Sequence, residues 1–405
     1  MIYYTIGLTI IGVAALLALH AIGLLRQKKT LFASTALISA ALVLRAFLME
    51  HETLDYQIFL TQWVTFFREN GGIEGLSQSI GNYNLPYLYF LSIFSYSSIR
   101  DLYLIKLLSV FFDFVLAFGV AHIVCVFHKS RLRTLAAFFL TLFLPTVVLN
   151  GAYWGQCDSI YAAFAVWSVY FALSKRPIFS VVCIALSFAF KLQAVFIMPV
   201  FLLFIYTGRM KWWHLTAFPV TYIATVLPAV VLGRPFVDTI LLYFNQAGTV
   251  GSGLNYNSAS IFALIQNVQN TSLASKLAIL GAFLFVVLIL VWLFTKRKNL
   301  SGETALACAV LFSIAIPFLL PHMHDRYFFV ADVLTLAFAV VIPTLSFVPV
   351  CVSFASLLSY HAYLRAKFLL PLSYGASAML VAAIFVLLYM IYHNGITSKK
   401  IKKPY

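Results

Sequence analysis

Two aspartates lie beside aromatic and polar residues in patterns that suit acid–base chemistry on a hydroxyl group. Asp55 begins a segment whose apolar residues recur with helical period, and a Gly-Gly pair ends that segment. Asp158 follows Trp154 and Gln156 in a short hairpin between two apolar runs. A carboxylate at the start of an interfacial helix could act as a general base, although Asp55 could instead only complement the helix N-terminus. Trp154 alone would be an ordinary interface anchor.

Basic side chains occur in two other segments, at positions that predict phosphate binding. Lys191 and Gln193 lie between two apolar runs, and His322, His324 and Arg326 follow a third run. Two histidines separated by one residue could bind a metal, but no cysteine or glutamate joins them at a zinc-like spacing. Histidine and arginine are equally suited to hydrogen-bonding a phosphate. We therefore predict phosphate binding here, with no metal or other cofactor.

Further polar residues each allow two interpretations. Tyr83 precedes Pro86, which predicts the start of a short re-entrant or surface helix over residues 86–96. The tyrosines of this segment could also form an interface belt and nothing more. Lys106 and Asp113 lie two turns apart in a predicted span. Because ionisable groups inside a membrane are functional or paired, these two either serve a site or pair with each other and hold helices together.

The chain that carries these residues has a composition that excludes a soluble protein. Of its 405 residues, 63% are hydrophobic and 10% are charged, whereas soluble domains are usually about 25% charged. A membrane-spanning helix needs roughly 20 apolar residues. We therefore predict one all-α polytopic membrane domain over residues 1–405. About thirteen spans are predicted, at 3–25, 31–49, 102–126, 134–150, 159–174, 178–190, 192–207, 215–232, 274–295, 303–320, 328–345, 347–363 and 370–392.

The net charge of +15 is explained by membrane topology, so we predict no nucleic-acid partner. Cytoplasmic connections of membrane proteins are rich in Lys and Arg. Six basic clusters occupy alternate loops and hold 17 of the 27 Lys and Arg residues. This pattern predicts an external N-terminus and a cytoplasmic C-terminus. The clusters lie at 26–29, 129–133, 175–176, 209–211, 296–298 and 399–403.

Two long stretches are external in this topology, and we expect the chemistry there. The first, 50–101, contains the predicted interfacial helices and Asp55, and the second is 233–272. The alternation of the loops holds only if 178–207 forms two short spans that turn at Lys191 on the outer side. The alternative is one tilted helix with Lys191 in mid-membrane.

Taken in order, the polar segments resemble the polytopic glycosyltransferases of the GT-C class. They are similar to bacterial relatives of the GPI mannosyltransferases and, more distantly, to the glucosyltransferases that extend dolichol-linked oligosaccharides. Each motif alone is weak, and their order and shared membrane side carry the resemblance. The chain departs from the family at Asp325, where glutamate is common, and at Asn82 and Leu85, which stand in part of an acid-Tyr-Asn-Pro-Pro pattern. The segments are Asp55 to Gly72, Tyr83 to Tyr87, Trp154 to Ser159, Lys191 to Gln193 and His322 to Tyr327.

The resemblance implies that Asp55 is the catalytic base and that the donor is a polyprenyl-phosphate sugar. One hexose would be transferred to a glycan or lipid acceptor at the outer face of a bacterial cell membrane. Attack opposite the leaving group predicts inversion at the anomeric carbon. Asp158 would orient the acceptor or exchange roles with Asp55. Lys191, His324 and Arg326 would bind the donor phosphate, and the other substrate-binding candidates are Trp154, Gln156, Gln193, Tyr83 and His322.

Two other functional classes fit parts of the sequence. A transporter or flippase of lipid-linked sugars would also have about a dozen helices and charged residues within spans. Its polar residues would gather near the midplane, whereas here they gather on one side. A polymerase or ligase that uses a lipid-diphosphate donor would share the basic external site, and the donor itself distinguishes it.

Overall fold

The computed structural model describes residues 2–246, 251–265 and 267–401, and helices dominate it. Helices α1 to α9 are Ile2–Ala21, Lys28–Ala46, Thr61–Glu69, Leu85–Phe94, Asp101–Phe127, Arg131–Leu142, Pro145–Val148, Asp158–Leu173 and Pro177–Phe190. Helices α10 to α18 are Val200–Tyr206, Ala217–Val231, Phe236–Ile240, Leu242–Gln246, Thr271–Thr295, Gly302–Leu319, Phe329–Val341, Phe347–Leu364 and Leu372–Ile401. The remaining elements are short. They are π-turns at Tyr56–Leu60 and Leu149–Trp154, 3-10 turns at Gly72–Ser77, Leu192–Phe196, Trp212–Thr216, Ile261–Ala263, Arg297–Asn299 and Pro343–Leu345, and parallel strands β1 (Asn255–Tyr256) and β2 (Met323–His324).

The structure confirms an all-α polytopic membrane protein and refines the number of crossings. Among the described residues, eight helices are long and apolar enough to span a membrane. A ninth span arises if α6 and the segment Pro145–Trp154, which bend by 46°, count as one. All thirteen predicted runs contain helix, but α8, α9 and α16 have only 16, 14 and 13 residues, and α10 has seven. Thirteen residues of helix extend about 20 Å, less than the roughly 30 Å hydrocarbon core.

The helix bundle has two chemically different ends. Basic loops lie together at one of them. Arg209 Nη1, from loop 209–211, donates to the carbonyl of Leu173, just before loop 175–176, at 2.9 Å. Lys29 and Leu132, from loops 26–29 and 129–133, line one groove. We call this the basic end. Helix α5, about 40 Å long by its helical rise, runs from there to the opposite end, where Asp101 accepts a hydrogen bond from Thr61 at 2.9 Å. We call that the carboxylate end, because the aspartates of interest lie there. The basic cluster 399–403 lies partly outside the described residues.

A buried ion pair joins the last turn of α2 to the middle of α5. Arg45 and Asp113 are both fully buried, with Nη2 and Oδ2 2.9 Å apart, and Ser159 Oγ donates to Asp113 Oδ1 at 2.5 Å. Asp113 therefore pairs with Arg45 of α2, and Lys106 is not its partner. Lys106 Nζ donates instead to the carbonyls of Leu48 and His51 at 2.8 and 2.6 Å, just after α2 ends.

The first long stretch begins as a helix at Asp55, as the sequence predicts. Leu60, Trp63 and Phe67 are buried at helical spacing. Phe59 lies four residues before Trp63, a spacing that would put it on the same face of an α-helix. It is instead 47% exposed, because the π-turn Tyr56–Leu60 changes the angle between successive side chains. A glycine with φ of +75° follows α3 at position 71, a conformation that glycine adopts without strain.

Candidate active site

The Asp55 carboxylate is held by three hydrogen-bond donors at the carboxylate end. Oδ2 accepts from Trp154 Nε1 at 2.9 Å and from Gln156 Nε2 at 2.5 Å, and Oδ1 accepts from the Tyr363 hydroxyl. The side chain remains 13% exposed. Two of these donors come from the predicted Trp154–Gln156 hairpin, so the structure brings together residues about 100 positions apart. A carboxylate that is fixed and still accessible has the geometry required of a general base.

The backbone around residue 155 aims two of these donors. The π-turn Leu149–Trp154 ends at Gly155, whose φ is +79°, a conformation that strains any other residue. The turn is anchored on both sides, since Thr53 Oγ1 donates to the carbonyl of Trp154 at 2.9 Å and Ser109 Oγ to that of Gln156 at 2.7 Å. Trp154 itself is fully buried, so it is a donor to Asp55 and not an anchor at the membrane surface.

Asp158 lies next to this carboxylate but is enclosed. Its side chain is 2% exposed and pairs with Lys191 through Oδ1, and its Oδ2 accepts from Asn150 Nδ2 at 2.7 Å. Lys191 follows the last residue of α9 and precedes a 3-10 turn. The chain therefore breaks at Lys191, as one of the two sequence interpretations requires. The pairing makes Asp158 much less accessible to a substrate than Asp55.

Arg326 lies between the two aspartates without hydrogen-bonding either. Its Nη1 is 3.8 Å from Asp55 Oδ2, its Nε is 3.6 Å from Asp158 Oδ2, and its Nη1 is 3.7 Å from Asp325 Oδ1. Both Arg326 Nε and Asp325 Oδ1 are buried and lack a hydrogen-bond partner. The guanidinium also lies over the ring of Trp154, with Cζ 5.4 Å from its centre. The N–H donors of Arg326 are thus attracted to the carboxylates but do not hydrogen-bond to them.

Burial and charge set the protonation of the two residues before Arg326. Burial, aided by the cations Arg326 and Lys191, lowers the pKa of His324 to about 4, so its imidazole is neutral at pH 7. Burial raises the pKa of Asp325 to about 7, even though Arg326 opposes this shift. At neutral pH His324 therefore contributes one N–H donor and no positive charge. The cations at this site are Lys191 and Arg326.

The remaining predicted residues lie at different distances from the carboxylates. Tyr83 joins the group, because its hydroxyl donates to Gln156 Oε1 at 3.3 Å and its ring centre lies 5.2 Å from Lys191 Nζ. Gln193 interacts with the hydroxyl of Tyr327. His322 lies apart, since one ring nitrogen is 2.7 Å from the carbonyl of Gly253 and the other is 3.1 Å from Ser275 Oγ.

The second long stretch supports the segment that carries His324 and Arg326. Strand β1 pairs in parallel with β2 in the register Asn255 to Met323 and Tyr256 to His324. The ring of Tyr256 stacks on that of His324, with centres 4.7 Å apart. The part of 233–272 that falls at 247–250 and 266 lies outside the described residues. The described part of this stretch thus packs against the segment that carries His324 and Arg326 and does not contact the carboxylates of the site.

Two tyrosines that the sequence motifs do not predict complete the site. Tyr363 donates to Asp55 across 308 positions of sequence, and its ring stacks on Trp154 with centres 4.9 Å apart. Tyr360, one turn earlier in α17, accepts a hydrogen bond from Asn150 at 3.3 Å. Both lie at the end of an apolar run, where tyrosine is common at membrane interfaces. No local signal distinguishes them.

The arrangement suits proton abstraction beside cationic donors. Among the residues that the structure describes, no group of three or more His, Cys, Asp or Glu side chains is arranged to hold a metal ion. What the site offers is an accessible carboxylate at Asp55, a paired one at Asp158, and the unused donors of Arg326. Such a combination can accept a proton from a hydroxyl and stabilise a developing anion nearby.

Comparison with known families decides the class of protein. The model of Glycosyltransferase family 87 matches residues 82–320, more than half of the chain. The chain belongs to glycosyltransferase family 87. This membership confirms a polytopic glycosyltransferase, and the specific likeness to mannosyltransferases stays a prediction. No curated protein matches the sequence. Within the family 87 match lie Trp154, Gln156, Asp158 and Lys191, whereas Asp55 and the histidine segment lie outside it.

Proposed function

We propose that this family 87 glycosyltransferase moves one hexose from a polyprenyl-phosphate donor to a hydroxyl of a glycan or lipid acceptor. The observation that carries the proposal is the Asp55 carboxylate, held by three donors yet 13% exposed, with Arg326 Nη1 3.8 Å away. A donor with a lipid tail suits a site at one end of a helix bundle. Its tail can stay among apolar helices while its phosphate and sugar reach the interface.

The proposed reaction needs one base and a stabilised leaving group. Asp55 takes the proton of the acceptor hydroxyl as its oxygen bonds to the anomeric carbon. The bond from that carbon to the phosphate oxygen breaks, and polyprenyl phosphate leaves with the electron pair. Arg326 and Lys191 stabilise the phosphate electrostatically, and neutral His324 donates a hydrogen bond to it. Attack opposite the leaving group inverts the anomeric configuration.

Asp55 is the better candidate for the base of the two aspartates. Asp158 is 2% exposed and already pairs with Lys191, so abstracting a proton there would compete with the ion pair. In this proposal Asp158 orients Lys191 and the acceptor. The reaction uses no divalent metal ion, because basic side chains supply the positive charge that a metal would otherwise provide.

The orientation in the membrane follows from the two ends of the bundle. The basic loops and the carboxylates lie at opposite ends, and loops rich in Lys and Arg face the cytoplasm. We infer that transfer occurs on the external face of a bacterial cell membrane, with the N-terminus outside and the C-terminus inside. A transporter is the weaker candidate, because the family 87 match indicates a glycosyltransferase.

A donor panel tests this proposal with purified protein in lipid nanodiscs. The panel contains polyprenyl-phosphate hexoses, the matching polyprenyl-diphosphate sugars and free sugar nucleotides, each offered with a lipid and glycan extract as acceptor. We expect transfer from at least one monophosphate donor, inversion of the product, and unchanged rates in EDTA. Transfer from the diphosphate donors alone would identify a polymerase or ligase. Loss of transfer in EDTA that manganese restores would overturn the metal-free reaction.

A further inference from the structure

An apolar groove opens between α2 and α6 at the basic end. Its volume is about 630 Å³. The side chains that form its walls are almost all apolar, apart from Lys29 and Thr30 at the mouth and Ser34 below them. The walls include Ala33, Leu37, Leu135, Ala136, Phe139 and Phe143.

The depth of the groove matches one leaflet of a bilayer. Both helices begin at the basic end, and their far ends converge where Arg45 Nη2 donates to the carbonyl of Leu142 at 3.1 Å. From Leu132 at the mouth to Phe143 the chain rises about 16 Å. Half of a typical hydrocarbon core is about 15 Å. The groove is therefore closed at the depth where an acyl chain of that leaflet ends.

The mouth of the groove is positively charged. Lys29 lines it, and Arg131 and Arg133 flank Leu132 on the first turn of α6, all three exposed. Neither helix has an acidic residue in its first turn. None of the ion pairs within the described part of the chain uses these three cations. The apolar groove is thus one leaflet deep, and its mouth, at the level of the lipid headgroups, carries three cations without ion-pair partners among the described residues.

We propose that this groove binds an anionic phospholipid of the leaflet at the basic end. One acyl chain lies between Ala33 and Ala136, and the phosphate is bound by Lys29, Arg131 and Arg133. Charge complementarity favours this ligand, since each Lys or Arg near a membrane surface favours anionic over zwitterionic lipids. Its binding does not depend on the sugar donor or on the role of Asp55.

Lipid titration of the delipidated protein tests the headgroup preference. Intrinsic fluorescence or thermal unfolding is followed while dioleoyl phosphatidylglycerol or dioleoyl phosphatidylcholine is added in mixed micelles. We expect the anionic lipid to bind at least about tenfold more tightly. The triple variant K29Q/R131Q/R133Q should lose this preference, and the matched control K175Q/R176Q/K298Q, with the same charge change at the same end, should keep it. Equal binding of the two lipids, or equal loss in both variants, would overturn the proposal.

Photolabelling locates the acyl chain independently of stability. Phosphatidylglycerol with a diazirine in its acyl chain should label peptides that contain residues 33–37 and 135–143, and A136W should abolish the labelling. If A136W does not fold, A33F provides the same test from the other helix. Labelling elsewhere, or displacement of the label by polyprenyl phosphate but not by unlabelled phosphatidylglycerol, would show that an anionic phospholipid is not the occupant.

Discussion

Two charged groups in this bundle use the same side-chain types and differ in how completely they are paired. Between α2 and α5, Arg45 and Asp113 are fully buried, 2.9 Å apart, and Ser159 satisfies the second carboxylate oxygen. At the carboxylate end, Arg326 lies 3.6 to 3.8 Å from three carboxylates and hydrogen-bonds none of them, and its Nε has no partner.

The difference indicates separate tasks for the two groups. A buried ion pair with every donor and acceptor used holds helices in register, and it has nothing left for a ligand. We propose that the donors of Arg326, which lie among carboxylates without bonding them, serve a substrate oxygen, because unsatisfied buried groups require an explanation. We therefore expect substitutions in the first group to reduce stability and substitutions in the second to reduce activity.

The largest effect is expected when one partner of the buried pair is removed. Asp113→Leu leaves Arg45 charged, buried and unpaired, and should lower the free energy of unfolding by about 3–5 kcal/mol. The double variant Arg45→Met/Asp113→Leu should recover most of this loss. Arg100→Gln, which removes exposed ion pairs with Glu50 and Glu52, is the control and should cost under about 1 kcal/mol. Denaturant unfolding in detergent measures the free energy of unfolding of all three variants. Equal losses in Asp113→Leu and Arg100→Gln would show that the buried ion pair contributes no more to stability than the exposed ones.

The next effect concerns Arg326 and should appear in the rate. Arg326→Gln keeps some hydrogen-bonding capacity but loses the charge, and should slow transfer by about 10²–10³-fold. Its unfolding free energy should change much less than that of Asp113→Leu. Initial rates and unfolding curves of the same preparation decide this. A severe loss of stability with normal transfer would assign Arg326 a structural role like that of Arg45.

A smaller effect is expected at Tyr363, which donates a hydrogen bond to Asp55. Tyr363→Phe removes one of three donors to the carboxylate, and a hydrogen bond to a charged group contributes about 1.5–3 kcal/mol. We expect kcat to fall by at least about tenfold with little change in KM, because in the proposed reaction Tyr363 positions the base and does not bind the substrate. Tyr374→Phe, at an exposed tyrosine of α18, should leave both constants unchanged. A rise in KM alone would place Tyr363 in substrate binding.

The sequence predicts the helical elements and the main polar cluster well because both have local signals. Apolar runs mark the helices, and the break at Lys191 follows from the alternation of basic loops. Asp55, Asp158 and Arg326 meet because each lies at the same end of a span, which charge patterning can reveal. The role of each residue in the reaction stays a prediction.

Other features lie beyond local patterns. Lys106 and Asp113 share a helix face, yet the partner of Asp113 comes from α2, because spacing along one helix does not say which helix packs against it. Tyr363 contacts Asp55 across 308 residues, and a tyrosine at a helix end resembles any interface tyrosine. The π-turn at Tyr56–Leu60 shifts the buried face, and its sequence has no distinguishing signal.

We propose Asp55 as the general base, and the transfer rate of Asp55→Asn is the test of that claim. The comparison uses the polyprenyl-phosphate hexose that the wild type accepts, with equal amounts of folded protein and with Asp158→Asn assayed in parallel. Asparagine keeps the shape of the side chain but cannot take the proton, so we predict a loss of about 10²–10⁴-fold. Near-normal transfer by Asp55→Asn, with loss in Asp158→Asn, would contradict the claim and assign the proton to Asp158.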